Sequence, residues 1–349
     1  MFGRNAKGWI GVDVGGSSVK TVQAVRRGGR YFVSGASLVE RRERWNLAES
    51  VPAEPSSSAD EMKTAASVCG MLRGRSAAAV MPMGPCETAQ LEAAAASRRE
   101  SENLAAVVAA ETQRPVVNHI VRAWQAPLQQ GRINVITAPA AWSDQIYRDV
   151  RCSGWQCRTI ESLPWALARA VRLTEAPAEA TTVAALDWGY SRVTMCLVHN
   201  GVPAIVRQLK GGGFAEYVTA VEHALRVSSA EAERLLRRHG LSARTDGGTS
   251  SASAIDDALG ALLGRLENEL HRTIAFWQSQ TRGLRPVRLY VFGAGGSLAG
   301  VAPWIQRALD VETRLWDLPL DRGVDDSLVP PRHLLGPALA ASASAWETP

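Results

Sequence analysis

The sequence predicts an α/β protein of two lobes, with a small subdomain inserted in the first lobe. A strand, an Asp-x-Gly turn and two further strands follow one another near residue 10, and the same order recurs near residue 185. A unit that occurs twice indicates two lobes built alike. At 349 residues the chain is also long enough to give each lobe its own hydrophobic core.

The first lobe is assigned to residues 7–83 and 159–181, completed by a closing helix at 333–345. Its start, where glycines separate apolar and alternating runs, predicts a β-meander. The predicted elements are strands at 9–14, 19–23 and 31–33 (with an extension at 37–39), a polar loop at 47–59, a helix at 60–73, a buried strand at 77–81 and a helix at 163–173.

Residues 84–158 are predicted to form the inserted subdomain. Its expected elements are a helix at 97–112, strands at 116–121 and 133–137, and a helix at 142–152. Two tryptophans of this segment, Trp124 and Trp142, leave two interpretations open. Burial in a core is the usual environment of tryptophan, and lining of a peptide groove is the alternative.

The second lobe is predicted to have a core at 182–213 and 286–332 and a helical subdomain at 214–285. Its meander is predicted as strands at 182–188, 193–198 and 204–208, with an Asn-Gly hairpin turn at 200–201. Helical stretches at 214–239 and 255–281 flank a loop at 242–254 that is rich in Gly, Ser and Thr. A strand at 288–292 and a helix at 298–309 are expected to follow.

The composition restricts the partners. The formal charge is +5, from 39 basic and 34 acidic residues, and Lys occurs only at positions 7, 20, 63 and 210. Because the arginines are scattered, no nucleic-acid partner is expected. Five cysteines without CxxC spacing indicate neither a zinc site nor a disulfide framework.

No apolar stretch has the length of a membrane span, and the N-terminus lacks a signal-peptide pattern. We therefore expect a cytoplasmic protein that meets a membrane only through a partner.

The first candidate motif is Asp13-Val14-Gly15-Gly16-Ser17-Ser18-Val19-Lys20, between the first two strands. Glycines let backbone N–H groups approach phosphate oxygens, and the serine hydroxyls add donors. Asp13 could hold Mg²⁺ through its water shell, and Lys20 could supply positive charge to a β- or γ-phosphate. An ordinary hairpin turn with a surface Asp and Lys is the alternative.

Two further motifs share this chemistry. Asp187-Trp188-Gly189-Tyr190-Ser191 would present a second carboxylate from the second lobe, with an ordinary turn as the alternative. Gly293-Ala294-Gly295-Gly296-Ser297 follows an apolar strand and opens a helix, where nucleotide contacts are common. It has neither the GxGxxG nor the P-loop spacing, and a tight connection that needs glycine is the alternative.

The three motifs, in this order, resemble the phosphate-1, phosphate-2 and adenosine motifs of the actin-like ATPase superfamily. Four segments resemble more specifically the PilM family of type IV pilus assembly proteins, relatives of the cell-division protein FtsA. They are MFGRNAKGWIGVDVGGSSVK, GVPAIVRQLKGGGFAEYVTAVEHALRVSSAEAERLLRRHGL, ELHRTIAFW and LYVFGAGGSLAGV, and LLGPALAASAS is similar to the final helix of that fold. The resemblance spans about residues 7–345. It implies an actin-like two-lobed ATPase fold with the inserted subdomain in the first lobe.

The resemblance implies Mg·ATP as the cofactor and gives roles to matching residues. Asp13 and Asp187 would flank the metal, and Glu161 would orient attacking water. The phosphates would be lined by Gly15, Gly16, Ser17, Ser18, Lys20, Gly189, Tyr190 and Ser191. The sugar and phosphates would lie beside Gly211, Gly212 and Gly213, and Glu233 would contact the ribose. The adenosine would lie against Gly293, Gly295, Gly296 and Ser297. For Glu161, a plain residue at a helix N-terminus is the open alternative.

The sequence departs from the family pattern at three places. Trp188 replaces a small aliphatic residue and could crowd the phosphate-2 turn. Leu236 stands where the ribose-binding pattern has Lys, with Arg237 next to it, and residues 84–125 match weakly. We therefore expect ATP binding and at most a slow ATPase.

The resemblance implies a scaffold that binds the cytoplasmic N-terminal tail of a PilN-like single-span membrane protein, peripheral to the inner membrane. The alternative is a sugar or small-molecule kinase of the same superfamily. Such kinases need a catalytic base, commonly an Asn-Asp pair in the middle of the chain, and often have a Cys/His zinc cluster, and the sequence shows neither. A filament former and a type II secretion component are further possibilities that the sequence does not separate.

Overall fold

The computed structural model describes residues 6–45, 54–68, 70–92, 104–112, 118–175, 181–210, 212–241 and 250–347. The strands are β1 (Ala6–Val14), β2 (Ser18–Arg27), β3 (Arg30–Glu40), β4 (Ser76–Met81), β5 (Glu87–Glu92), β6 (His119–Gln125), β7 (Arg132–Pro139), β8 (Gln156–Ser162), β9 (Thr182–Trp188), β10 (Val193–His199), β11 (Val202–Leu209), β12 (Arg288–Phe292) and β13 (Glu312–Leu315). The helices are α1 (Ala59–Val68), α2 (Leu104–Thr112), α3 (Ala140–Cys152), α4 (Leu163–Thr174), α5 (Phe214–Leu225), α6 (Ser229–Arg238), α7 (Ser250–Gln280), α8 (Val301–Leu309) and α9 (Gly336–Ala343).

The two lobes are built on sheets with the same topology. The strand order is β3-β2-β1-β4-β8 in the first sheet and β11-β10-β9-β12-β13 in the second. In each sheet three antiparallel meander strands are followed by two parallel strands. The repeat seen in the sequence covers only the two meanders. The structure extends it to β4 and β8 in the first lobe and to β12 and β13 in the second.

Strand burial explains how each lobe is layered. All seven residues of β10 are buried, as are six of the seven in β9. Central strands that are covered on both faces read as continuous apolar runs. The first core includes residues of β1, β2, β4 and the helices α3, α4 and α9, and the second includes residues of β9, β10 and the helices α5, α6, α7 and α8.

Two helices lie between the lobes. α4 contacts strands of both sheets, and α9 packs on β1, β2 and α4. The close approach of α9 depends on Gly11 of β1, because a Cβ there would lie 1.8 Å from the carbonyl oxygen of Ala338. α4 therefore joins the two sheets, and α9 completes the first core.

The inserted subdomain is smaller than the predicted range. It consists of an antiparallel sheet with the order β5-β7-β6 and helix α2, whose Val107 and Val108 pack with Leu91 and Val135. Helix α3, which we had assigned to the insert, packs against the first sheet instead, and β8 belongs to that sheet. Trp142 is fully buried in the first core, so it lines no groove.

The insert also contacts the second lobe and α4. Trp124 Nε1 donates to the carbonyl oxygen of Pro203 at 2.7 Å, and Asn134 Nδ2 donates to that of Ala204 at 3.0 Å. Both acceptors are on β11. The Trp124 ring meets Trp165 of α4 edge to face, with centroids 5.9 Å apart. Trp124 therefore anchors the insert between β11 and the inter-lobe helix.

The other differences from the predicted elements have simple causes. β5, β8 and β13 were not predicted, since they are short and mostly polar. β3 is one strand over the whole of Arg30–Glu40, and α7 begins at Ser250, inside the predicted loop. Residues 97–103 of the predicted helix and 242–249 of the loop lie outside the described residues.

Candidate functional site

A cleft of about 840 Å³ lies between the two lobes. It brings together fourteen residues that the sequence had singled out from three distant segments and helix α6. They are Asp13, Gly15, Gly16, Ser17, Ser18, Lys20, Asp187, Gly189, Tyr190, Ser191, Glu233, Gly293, Gly296 and Ser297. Gly212, Gly213, Gly295 and Glu161 do not line the cleft.

The turn between β1 and β2 is closed by a hydrogen bond from the Gly15 N–H to the Ser18 carbonyl, at 3.0 Å. Asp13 and Lys20 are cross-strand partners, and Lys20 Nζ donates to Asp13 Oδ2 at 2.9 Å. A Cβ on Gly15 would lie 2.6 Å from Lys20 Nζ, so the ammonium group lies over the turn. The arrangement places one cation and one carboxylate beside backbone that can approach a phosphate closely.

Residues 41–45, which we call the strap, support this turn from outside. The Arg41 N–H donates to the Ser17 carbonyl at 2.9 Å, and the Trp45 N–H donates to the Gly16 carbonyl at 2.7 Å. Arg41 Nε also donates to the Gly15 carbonyl at 2.7 Å. The turn therefore has its carbonyl groups occupied from one side, which leaves the cleft side for a ligand.

The turn after β9 is held in the same way by the second lobe. The Gly189 N–H donates to the Arg192 carbonyl at 2.9 Å, and the first N–H groups of α5 donate to the carbonyl groups of Gly189 and Tyr190 at 3.0 and 2.9 Å. A Cβ on Gly213 would lie 2.2 Å from the Ser191 carbonyl carbon. Gly212 and Gly213 thus bring α5 against the turn, and Gly211 lies outside the described residues.

Asp187 faces the first lobe's carboxylate across the cleft. Burial and, to a smaller extent, the charge of Asp13 raise the pKa of Asp187 to about 7, against the opposing effect of Lys20. A divalent cation would stabilise the ionised form of a carboxylate that lies buried near a second one, and carboxylate oxygens are ligands of Mg²⁺. Asp13 and Asp187 therefore fit a hydrated Mg²⁺ between the lobes.

The third motif forms a tight turn over the second lobe. Gly293 has φ 79°, and its N–H donates to the carbonyl oxygen of His333 at 3.0 Å. A Cβ on Gly296 would lie 2.6 Å from the His333 ring, whose Nε2 is 3.0 Å from Ser297 Oγ. Burial lowers the pKa of His333 to about 4, so the ring is neutral at pH 7. His333 lines the cleft, and no local pattern of the sequence indicated it.

Trp188 does not crowd the phosphate-2 turn, contrary to our expectation. Its side chain is fully buried in the second core, with its ring centroid 5.0 Å from that of Tyr217. Because successive side chains of a strand point to opposite faces, Asp187 faces the cleft and Trp188 faces the core. Gly295 lies against the indole, where a Cβ would be 2.1 Å from Trp188 Cγ.

Glu233 lies at the cleft between two arginines. Its Oε1 accepts from Arg237 Nη2 at 2.7 Å, and its Oε2 is 3.4 Å from Arg44 Nη2. Both arginines line the cleft, whereas Leu236, at the position of the expected lysine, is fully buried. The positive charge missing at position 236 is thus supplied one residue later.

The structure places Glu161 outside the cleft. Its carboxylate is bound by the guanidinium of Arg169, with one contact at 2.6 Å, and the side chain is 11% exposed. Arg169 also bonds Glu347 at 2.6 Å and the Ala340 carbonyl at 3.2 Å. Glu161 of β8 therefore holds Arg169 of α4, which in turn bonds Glu347 near the C-terminus, and none of these contacts lies in the cleft.

Within the described ranges, no group of three or more His, Cys, Asp or Glu side chains has a metal-binding arrangement. In the same part of the chain, no helix is both long and apolar enough to cross a membrane.

No family model and no curated protein matches the sequence. Solved structures do. A chain of the PilM-PilN type IV pilus biogenesis complex is similar with a TM-score of 0.71 and 21% identity, over 97% of this chain and 97% of that chain. The MamK double helical filament gives a TM-score of 0.52 and 13% identity, over 97% and 99%. MreB5 of Spiroplasma citri bound to ADP gives 0.50 and 11%, over 97% and 95%.

The similarity covers both lobes and the insert, and it agrees with the repeated sheet topology. The chain therefore has the two-lobed, actin-like fold that these structures share.

Proposed function

We propose that the protein is a nucleotide-binding scaffold of an inner-membrane pilus or related secretion platform. It holds Mg·ATP between its lobes and binds the cytoplasmic N-terminal tail of a PilN-like single-span membrane protein, which keeps it at the membrane. The observation that carries the nucleotide part is the meeting of two carboxylate-bearing turns across one cleft, each from an equivalent position of its lobe.

The cleft supports a ribonucleoside triphosphate as the ligand. Two glycine-containing turns face it with serine hydroxyls and one ammonium group, which suits a polyphosphate. Glu233 offers a carboxylate for ribose hydroxyls, and the Gly293–Ser297 turn offers close backbone for the adenosine. The neighbour bound to ADP has the same fold, which agrees with this assignment.

Mg²⁺ would be held by Asp13 and Asp187 through its water shell, where it would neutralise phosphate charge. Efficient hydrolysis is not part of the proposal, since Glu161 is engaged by Arg169 away from the cleft. Binding of the nucleotide would instead stabilise the closed arrangement of the lobes by mass action.

The nucleotide part is tested by equilibrium dialysis with labelled ATP and Mg²⁺. We expect saturable binding to the wild-type chain and a loss of at least about tenfold in affinity for Asp13→Asn, because charge-assisted contacts are worth about 1.5–3 kcal/mol each. An absence of saturable binding at millimolar ATP would contradict the nucleotide part.

The partner part rests on the full-length similarity to a chain of the PilM-PilN complex. It is tested by recovering the tagged protein from gently solubilised native membranes and identifying what accompanies it. A small single-span protein with a short cytoplasmic tail is expected, and the complex in which it occurs would separate pilus from secretion assemblies. Recovery of the protein alone, with no binding of such a tail as a peptide, would contradict this part.

A further inference from the structure

The strap crosses from the first lobe to the second at the mouth of the cleft. Arg44 Nη1 is 3.3 Å from Tyr190 Oη, and its guanidinium lies over the Tyr190 ring, 5.1 Å from the centroid. Arg44 Nη2 is 3.4 Å from Glu233 Oε2. Glu40, on the same lobe as Arg44, is farther away at 3.7 Å. The side chain thus joins two second-lobe residues that both line the cleft.

The contacts of Arg44 are weak enough for the cleft between the lobes to open and close. The Arg44 side chain is 32% exposed, and its polar contacts, at 3.3–3.5 Å, are longer than well-formed hydrogen bonds. An exposed ion pair of this kind shifts an equilibrium by up to about fivefold, and a cation–π contact adds a similar factor. Arg44 is therefore strong enough to bias the lobes toward closure and weak enough to release them.

The strap also connects lobe closure to the shape of the first turn. Trp45 donates its N–H to the Gly16 carbonyl and accepts a hydrogen bond from Ser191 Oγ at 2.5 Å. The residue next to Arg44 therefore bonds the phosphate-binding turns of both lobes. When the lobes separate, the contacts of Arg44 and Trp45 with the second lobe must break together.

Glu233 is oriented by the same contact. Its two oxygens are divided between Arg237 and Arg44. A carboxylate accepts about four hydrogen bonds, so lone pairs remain for ribose hydroxyls while the group is held in place. Without Arg44, Glu233 would contact only Arg237. Because Arg237 lies on the same helix as Glu233, it cannot fix the carboxylate relative to the first lobe.

We propose that Arg44 is a positioning residue for the nucleotide: it latches the lobes over the ligand and holds Glu233 in the orientation that ribose hydroxyls need. This inference rests on the nucleotide binding proposed above. In the proposed site the ribose contact, Glu233, belongs to the second lobe. Arg44 would add a residue of the first lobe to the recognition of the sugar.

The experiment compares the full-length wild type, Arg44→Ala and Arg42→Ala. Arg42 is the matched control, because it is an exposed arginine of the same strap and its contact with Glu61 is made by its backbone N–H. Each protein is loaded with tritiated ATP and Mg²⁺ and chased with unlabelled ATP. Equilibrium affinities for ATP and 2′,3′-dideoxy-ATP are then measured, after thermal melts have verified folding.

We expect Arg44→Ala to release ATP about three- to tenfold faster than the wild type, and Arg42→Ala to release it at the wild-type rate. The wild type should bind the dideoxy analogue at least about tenfold more weakly than ATP. That penalty should shrink about threefold or more in Arg44→Ala, since Glu233 is no longer held in place. A purely structural role would not change this selectivity.

Equal release rates and an equal dideoxy penalty in Arg44→Ala and Arg42→Ala would overturn the inference while leaving nucleotide binding intact. Absence of ATP binding by the wild type would overturn both. If Arg44→Ala does not fold, Arg44→Lys is used, which keeps the charge but not the planar fork. An intermediate release rate is then expected, and a wild-type rate would count against the latch.

Discussion

Substitution of Gly295 by alanine is expected to destabilise the protein, although the residue does not line the cleft. The added Cβ would lie 2.1 Å from Trp188 Cγ and 2.2 Å from Cδ2, whereas ordinary van der Waals contact begins at 3.4 Å. The turn would have to move by more than 1 Å, because the indole is fully buried against Tyr217. Overpacking of this kind costs about 1–3 kcal/mol, and we expect the upper part of that range.

The assay is urea unfolding of Gly295→Ala beside Gly264→Ala as a matched control. Gly264 lies in α7, and a Cβ there would meet no atom within 4 Å. Alanine in a helix is favoured over glycine by about 0.5–1 kcal/mol, so the control should raise the midpoint while Gly295→Ala lowers it. A Gly295→Ala variant as stable as the wild type would refute the reasoning.

A compensating change tests the cause. Trp188→Leu alone should cost about 3 kcal/mol, since it leaves a cavity in the second core. It also removes the atoms that the new Cβ would strike. The double variant should therefore lose at least about 1 kcal/mol less than the two single losses added together. Additive losses would mean that Gly295 and Trp188 are not in conflict.

Three further predictions concern other groups of the site. His333→Gln should make the free energy of unfolding less dependent on pH in the acid range. The folded-state pKa of about 4 lies below the usual 6.5, so neutral His333 contributes up to about 3 kcal/mol of stability above pH 6.5, and this contribution is lost as the pH falls toward 4. Urea titrations at several pH values that give the same profile for variant and wild type would contradict this. Asp187→Asn should act in the opposite direction in the nucleotide-free protein. Its pKa of about 7 lies above the usual 3.8, so its contribution is full below pH 3.8 and declines as the pH rises toward 7, a decline that the variant should lack in melting temperatures measured across that range. Glu161→Ala should lower stability by about 3 kcal/mol, since it breaks a buried ion pair, and should leave ATP affinity within about twofold by equilibrium dialysis; a stable variant that no longer binds ATP would return Glu161 to the site.

The sequence predicted the parts of the site that are local. Asp13 and Asp187 each end an apolar strand and precede a glycine turn, and that pattern is visible without a structure. It did not predict which face each side chain takes. Trp188 was expected to affect the turn. The structure shows that it is still part of β9, paired with Val193, so its side chain points away from that of Asp187.

Residues that depend on long-range packing were missed. Arg44 reaches Glu233 across 189 residues of chain, and His333 reaches Ser297 across 36. Arginine is abundant throughout the sequence, so position 44 carried no pattern that distinguished it. The strands β8 and β13 were also missed, because they join their sheets at an edge and need few apolar residues to do so.

The two meanders end in equivalent edge strands, and each of these edges is partly covered by a distant part of the chain. On β3, Val33 donates its N–H to Pro319 and accepts from the N–H of Asp321, at 2.9 Å each. On β11, carbonyl oxygens are taken by the side chains of Trp124 and Asn134 of the insert. An uncovered edge strand is a template for pairing with another chain. At these positions the protein has closed that route, so a second copy could not pair with β3 at Val33, or with β11 at Pro203 and Ala204, without first displacing these contacts.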